Sequence, residues 1–359
     1  MSEQTASFKP TLGLFDSTMI VAGSMIGSGI FIVSADITRN VGSAGWLIAV
    51  WLITGFMTLV AALSYGELSA MFPKAGGQYV YLKEAFNPLA GFLYGWSFFT
   101  VIQTATIAAV GVAFSKFAAY IFPVVSEKNI LFNIGSLKIS AAQIVAILLI
   151  ALLTFINSKG IKNGKIIQTV FTSAKLLALF GLIIFGFLLV NHSFWSENWQ
   201  TGLTATQDLG AKDAESILHP TSWKPISGFV LVGAIAAAMV GSIFSSDAWN
   251  NITFIAGEVK NPKRNIGLAL FLGTLIVTII YVAANLMYLN VLPLNQIAFG
   301  DGANDRIAVI ASQDIFGSAG TIVIALLIMV STFGCNNGLI LAGARVYNAM
   351  AIDKLFFKK

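Results

Sequence analysis

The chain reads as an all-α integral membrane protein, and three observations carry that reading. Apolar residues make up 57% of its 359 residues, charged ones only 10%, and the mean hydropathy is +0.82. A soluble domain carries about a quarter charged residues. Apolar runs of bilayer length, roughly 20 residues, recur at 14–36, 45–71, 88–122, 139–158, 166–190, 228–256, 266–290 and 317–350, which gives eight candidate spans. Two of them are interrupted by residues that suit an unbroken membrane helix badly.

Span one contains Gly23-Ser24-Met25-Ile26-Gly27-Ser28-Gly29-Ile30-Phe31. Glycine adds no side-chain packing and loses the most backbone freedom when held helical, so this stretch favours unwinding. Non-helical backbone at membrane depth has to line a protein cavity. The outer half-helix is expected to begin around Ser28 to Ile30. Its free N–H groups, its positive end and the Ser28 hydroxyl suit a carboxylate. Close helix packing through small residues is the competing reading. The N-terminus is polar through Pro10 and lacks the apolar region and cleavage site of a removable leader, so span one is expected in the mature protein.

Span two ends near Glu67, an interfacial cap or pair, and the connection 72–87 carries Pro73, Gly76 and Gly77. In span three, Gln103 and Thr104 fit either a pocket wall or ordinary interhelical hydrogen bonds. Lys116, near its end, can snorkel to water. Spans four and five flank the Lys-rich segment 159–165. Lys175 lies about ten residues, roughly 15 Å, into span five. That depth makes snorkelling less plausible, and a lysine there needs partners inside the protein. The polar outer segment 191–227 holds His192 and His219, with Trp195, Trp199 and Trp223 as interfacial anchors.

Span six runs apolar over 228–243 and then reads Phe244-Ser245-Ser246-Asp247-Ala248-Trp249-Asn250-Asn251. Polar side chains this dense at membrane depth must face a cavity or one another. Unwound carbonyls at Phe244, Ser245 and Ser246 would lie at the negative end of the preceding half-helix and suit an ammonium group. Asp247 is expected to cap the following half-helix or brace the unwound backbone rather than touch substrate. The sequon Asn251-Ile252-Thr253 should be inaccessible at that depth. Interruptions five spans apart point to an inverted-repeat transporter with its site at the repeat interface. The single domain 1–359 then divides into a first repeat over 1–190 and a partial second repeat over 228–350. The stretch 303–316 suits a short surface helix, a candidate lid, and Asn336, Asn337 and Gly338 interrupt span eight, either as pocket wall or through interhelical hydrogen bonds.

Charge placement orients the chain. Of 21 Lys and Arg, Arg39, Lys128, Lys138, Lys212, Lys224 and Arg306 fall outside and Lys116 and Lys175 within spans; the remaining thirteen fall inside when the N-terminus is cytoplasmic. Both termini are therefore expected in the cytoplasm. The net charge of +5 largely reflects this bias and gives no nucleic-acid partner. Cys335, the lone cysteine, excludes a disulfide framework and a thiolate metal cluster, and no cofactor is expected. Walker A, H-E-x-x-H and G-x-S-x-G patterns are absent, so nothing points to an enzyme.

Gly27-Ser28-Gly29-Ile30-Phe31 resembles the signature of amino acid permeases of the amino acid–polyamine–organocation superfamily. Phe244 to Asn250, continuing as Glu258-Val259-Lys260-Asn261-Pro262-Lys263-Arg264, is similar to the L-type amino acid transporter branch, as is Lys175 within Ser173-Ala174-Lys175-Leu176-Leu177. The likeness runs from Leu12 to Phe357. It implies a LeuT-like fold of two five-span inverted repeats, with spans one, two, six and seven as a rocking bundle and three, four and eight as scaffold. The family has about twelve spans, so a chain of eight is C-terminally short: a fragment of a longer reading frame or a truncated product.

The resemblance also implies roles. Met25, Ile26, Gly27, Ser28, Gly29 and Ile30 with Phe244, Ser245, Ser246 and Asp247 would hold an L-amino acid, and Phe244 would close over it as a gate. Lys175 would stand where sodium binds in sodium-coupled relatives and join spans one and eight through carbonyls or hydroxyls, with Ser331 and Thr332 as candidates. Sodium-independent exchange of a small or polar neutral amino acid across the plasma membrane, a bacterial inner membrane, is the expectation. Proton coupling through Lys175 is an alternative. A membrane protein that binds amino acids, or packs with a partner subunit of unknown identity, without transporting is the rival reading.

Overall fold

The computed structural model describes residues 10–135, 137–159, 161–208, 223–300 and 307–357. It is predominantly helical, and the long helices fall where the apolar runs place them. Span one is split into Leu14–Met25, a 3-10 turn Gly29–Phe31 and Val33–Val41. Spans two to five are Ala44–Met71, Pro88–Ala118, Ala141–Ser158 and Ile161–Leu188. Span six is Gly228–Ser245 with a separate turn of helix Asn251–Phe254, span seven Pro262–Val291 and span eight Gly320–Ile352. The helices are long and apolar enough to make this a multi-pass membrane protein.

Local chemistry sets the helix starts. Ser43 Oγ accepts the Trp46 N–H at the head of span two, and Asn87 Oδ1 accepts that of Ala90, with Pro88 at the first helical position of span three. Ser140 and Gln143 satisfy each other's backbone N–H groups at the head of span four. Pro262 opens span seven after Asn261, which takes a left-handed φ of 47°. Span three is not uniform: a π-helical turn, Phe98–Ile102, joins its two α-helical parts.

Span seven packs along span two and against the first segment of span one, Leu14–Met25, while span eight lies against spans three and five. A continuous apolar core links spans one, two, six and seven through Ile26, Phe31, Trp51, Ile252, Tyr281 and Tyr288. Two small antiparallel ribbons, Ile130–Ile134 with Leu137–Ser140 and Thr206–Asp208 with Trp223–Pro225, decorate the face opposite the termini. The search for apolar runs of bilayer length gave no sign of them, because strands of three to five residues are far shorter than a span.

The expected helix near 303–316 exists as Ile307–Phe316, but its Ile307, Ala308, Val309 and Ala311 are buried, so it is packed in rather than lying loose on the surface. Span eight corrects the sequence reading. It stays helical through Asn336, Asn337 and Gly338, because Asn337 donates to Gly164 O and Gln168 Oε1 and accepts from Asn157 Nδ2. Side chains of neighbouring spans satisfy its polar group, so the helix has no need to open. His219 lies outside the described residues. His192 packs edge-on against Phe194, and Lys116 reaches a half-exposed pair with Glu127 at 3.0 Å, as snorkelling requires.

Candidate functional site

The interruption in span one begins at Ile26, whose ψ of 97° leaves the helical region. Gly27 and Ser28 belong to no helix, and Gly29 and Ile30 open the 3-10 turn; none of these N–H groups meets a backbone carbonyl among the described residues. Helical geometry resumes at Val33, later than Ser28–Ile30, with the 3-10 turn making up the difference. Ser28 and Gly29 are partly exposed, whereas Met25, Ile26, Gly27 and Ile30 are buried. The array of free donors at the head of the outer half-helix is thus accessible at Ser28 and Gly29.

The carbonyls released on the other side of the break are captured by side chains. Lys175 Nζ donates to Gly23 O at 2.6 Å, Ile26 O at 2.7 Å and Ser331 O at 3.4 Å. Ser331 Oγ donates to Ile26 O at 3.1 Å and Gly27 O at 3.0 Å, and Cys335 Sγ to Ser24 O at 3.0 Å. The fully buried ammonium has three donors and three carbonyl acceptors, and it faces the negative end of the half-helix Leu14–Met25. Thr332, the other expected partner, turns instead to Ile328 O of its own helix.

In span six the helix ends at Ser245, and Ala248 takes a φ of 64°, a left-handed conformation rarely used by a residue with a Cβ. Asp247 is exposed, and its carboxylate takes the Ala248 N–H, which braces this turn. It does not cap the next helix: the cap position of Asn251–Phe254 is Asn250, with no side-chain bond. Phe244 is 52% exposed, so it is not an ordinary core phenylalanine. Ser245 and Ser246 are buried, and the Ser245 hydroxyl returns to Gly241 O at 2.8 Å.

The two breaks touch. A Cβ added at Gly29 would fall 2.6 Å from Ser245 Cβ and 3.2 Å from its Cα, so only glycine at 29 and a small residue at 245 permit this approach. Sequence reasoning missed the residue that ties them, Tyr281 of span seven. Its hydroxyl lies 2.9 Å from Ser245 O and 3.2 Å from Met25 O, and Tyr288 Oη lies 3.3 Å from Ile30 O. Tyr281 and Tyr288 within a membrane-length helix were the available signal, since a phenol at that depth needs an acceptor.

Residues flagged with two readings resolve toward packing. Gln103 Nε2 donates to Leu339 O at 2.6 Å, an interhelical bond, and Thr104 bonds within its own helix. Asn251, Ile252 and Thr253 are all buried, as the depth of that sequon requires. A cavity of about 610 Å³ between spans five and eight, lined by Leu177, Phe185, Phe316 and Leu326, takes no residue of either break into its lining. Its wall is lined by apolar side chains.

A family model described as an amino acid permease matches residues 12–358. The chain is 30% identical over 349 residues, 96% of its length and 58% of the other's, to the large neutral amino acids transporter small subunit 2 of Homo sapiens. It is 31% identical over 355 residues to the serine/threonine exchanger SteT of Bacillus subtilis (strain 168), covering 99% of this chain and 71% of that one. The b(0,+)-type amino acid transporter 1 of Oryctolagus cuniculus is 30% identical over 347 residues, 96% of this chain and 64% of its own. The chain thus spans less than two thirds of both mammalian relatives.

Proposed function

Because the chain belongs to the amino acid permease family, we propose that it carries L-amino acids across the membrane by alternating access, without sodium. The observation that carries this reading is the contact between the two breaks, Gly29 against Ser245. It sets free N–H groups of Gly27 to Ile30 near the end of the span-six half-helix, where the Phe244 and Ser246 carbonyls lie. A zwitterion has one group for each end: its carboxylate meets the N–H groups, its ammonium the carbonyls. Met25, Ile26 and Ser245 contribute backbone to this constellation, Ser28 a hydroxyl, and Phe244 an exposed ring that closes over the bound amino acid. Asp247 is exposed beside the turn at Ala248, and we read it as shaping the space for the substrate side chain.

Sodium independence rests on Lys175. Its ammonium stands among carbonyls of spans one and eight and supplies there the positive charge a metal ion would bring. Spans one to five and six to eight are read as one full and one partial inverted repeat, with both termini cytoplasmic in a bacterial inner membrane. The relatives named as transporters and an exchanger support exchange as the mode.

The test is uptake of labelled amino acids into sodium-free proteoliposomes, with and without amino acid preloaded inside, for the chain and for Gly29→Trp. Uptake stimulated by internal amino acid and lost in the variant is the expected result. A stably folded chain that binds amino acid but shows no uptake would favour the binding-only reading.

A further inference from the structure

On the face that carries residues 10–12 and 353–357, three elements of the fold meet at one residue, Glu258. It ends the 3-10 turn Ala256–Glu258 after span six and is 1% exposed. Its backbone carbonyl accepts the N–H of Thr11 at 2.8 Å and of Leu12 at 3.0 Å, the residues leading into span one. Lys260 N–H donates to Leu12 O at 2.8 Å, which closes a parallel bridge between Leu12 and Val259. The Glu258 carboxylate meanwhile accepts Arg345 Nε of span eight at 3.0 Å, in a pair whose side chains are 2% and 13% exposed. The lead into span one, the exit of span six and the end of span eight are therefore tied through a single side chain and its own carbonyl.

We propose that Glu258 is a positioning residue for transport: it latches this face of the site shut, and its pair with Arg345 parts when spans one and six swing away from span eight. This rests on the alternating-access reading above. Two features suit a latch better than a permanent brace. The strap is made of backbone bonds, whose net strength is modest because water replaces them when they open. The ion pair is buried but incompletely satisfied, since Glu258 Oε2 has no hydrogen-bond partner, so its desolvation is poorly offset. A parallel tie on the same face, Tyr79 Oη and Lys83 Nζ to Asp353 Oδ2 at 2.8 and 2.7 Å, joins the segment after span two to the end of span eight and does not involve span one or six.

The chain carries its own reporter. Cys335 is its only cysteine, is 4% exposed, and packs with Val110, Ala248 and Leu339 while its Sγ bonds Ser24 O of span one. Parting spans one and six from span eight uncovers it.

The experiment measures modification of Cys335 by a membrane-impermeant maleimide in vesicles of either orientation. It compares the chain with Glu258→Gln, Arg345→Gln and the exchanged pair Glu258→Arg/Arg345→Glu. Lys260→Pro, which removes one strap donor and leaves the Glu258–Arg345 pair in place, tests the backbone strap by itself. Each single variant is expected to react on the order of tenfold faster from the face that carries the termini only, and the exchanged pair to return toward the parent rate. Unchanged rates in folded variants, equal acceleration from both faces, or no reversal by the exchange would each overturn the latch. Labelling does not require transport. A faster rate in a chain without uptake would sink the carrier reading and keep the latch, whereas uptake with unaltered labelling would sink the latch alone.

Discussion

Alanine at Gly29 places a methyl carbon 2.6 Å from Ser245 Cβ and 3.2 Å from Ser245 Cα, and closer still to the hydroxyl. Carbon atoms prefer about 3.5–4.0 Å, so the two breaks must separate by about 1 Å. The Ser245 side chain cannot simply turn aside, since its Cβ and backbone are the obstacles. Overpacking of this kind costs about 1–3 kcal/mol. If that strain falls on the arrangement that binds substrate, affinity drops about 5- to 150-fold. Alanine at Gly27 is the internal control, because its Cβ would lie an ordinary 3.5 Å from Cys335 Sγ. Ser245→Gly removes the obstructing Cβ and hydroxyl for about 0.5–1 kcal/mol of helix stability, so adding it to Gly29→Ala should recover most of the loss. The assay is initial-rate uptake in proteoliposomes, with thermal stability of the purified protein alongside. Parent-like uptake in Gly29→Ala would refute the reasoning. So would equal damage from Gly27→Ala, or no recovery in the double variant.

Lys175→Met leaves the Gly23 carbonyl unpaired, at about 1–3 kcal/mol, and Ile26 O with only the Ser331 hydroxyl; melting temperature and uptake should both fall, and a parent protein whose uptake requires sodium would contradict the role given to this lysine. Tyr281→Phe removes the hydroxyl beside Met25 O and Ser245 O, and should cost about 0.5–1.5 kcal/mol in denaturation with slower uptake; no change in either would mean the hydroxyl does not hold the breaks together. Phe244→Ala, at a half-exposed ring, should change stability by less than about 0.5 kcal/mol while lowering uptake severalfold, and Phe244→Tyr should preserve it. A parallel loss of stability in Phe244→Ala would make the ring a packing element instead of a gate.

How much of this was legible along the chain follows from what kind of information each feature needs. The breaks were readable because glycine at 23, 27 and 29 and polar residues from Ser245 to Asn251 violate a local rule, the demand of lipid for uninterrupted apolar helix. The same rule misled at Asn336 to Gly338. The helix nevertheless continues there: Asn157, Gly164 and Gln168 of other spans satisfy Asn337, while the buried Asn336 amide has no hydrogen-bond partner among the described residues. In span one, neighbouring side chains do the opposite and hold carbonyls in the unwound state, Lys175 at Gly23 and Ile26, Ser331 at Ile26 and Gly27. Whether a polar stretch opens a helix thus depends on what the neighbours offer, donors for its backbone or partners for its side chains.

Hydropathy and glycine placement were enough to determine a multi-pass helical protein, the course of its long apolar helices, seven of them long enough to cross a membrane, and the two places where spans one and six part. Those properties are local, and the bilayer reads them one segment at a time. Which carbonyls Lys175 would take, that Tyr281 would tie the breaks, that Asp247 would brace its own turn, and that Glu258 would join Thr11 to Arg345 were decided only by the tertiary structure. Every residue presents the same carbonyl, so nothing in its type marks it as an acceptor. Only the packing of distant spans brings a donor to one carbonyl and leaves the next one free.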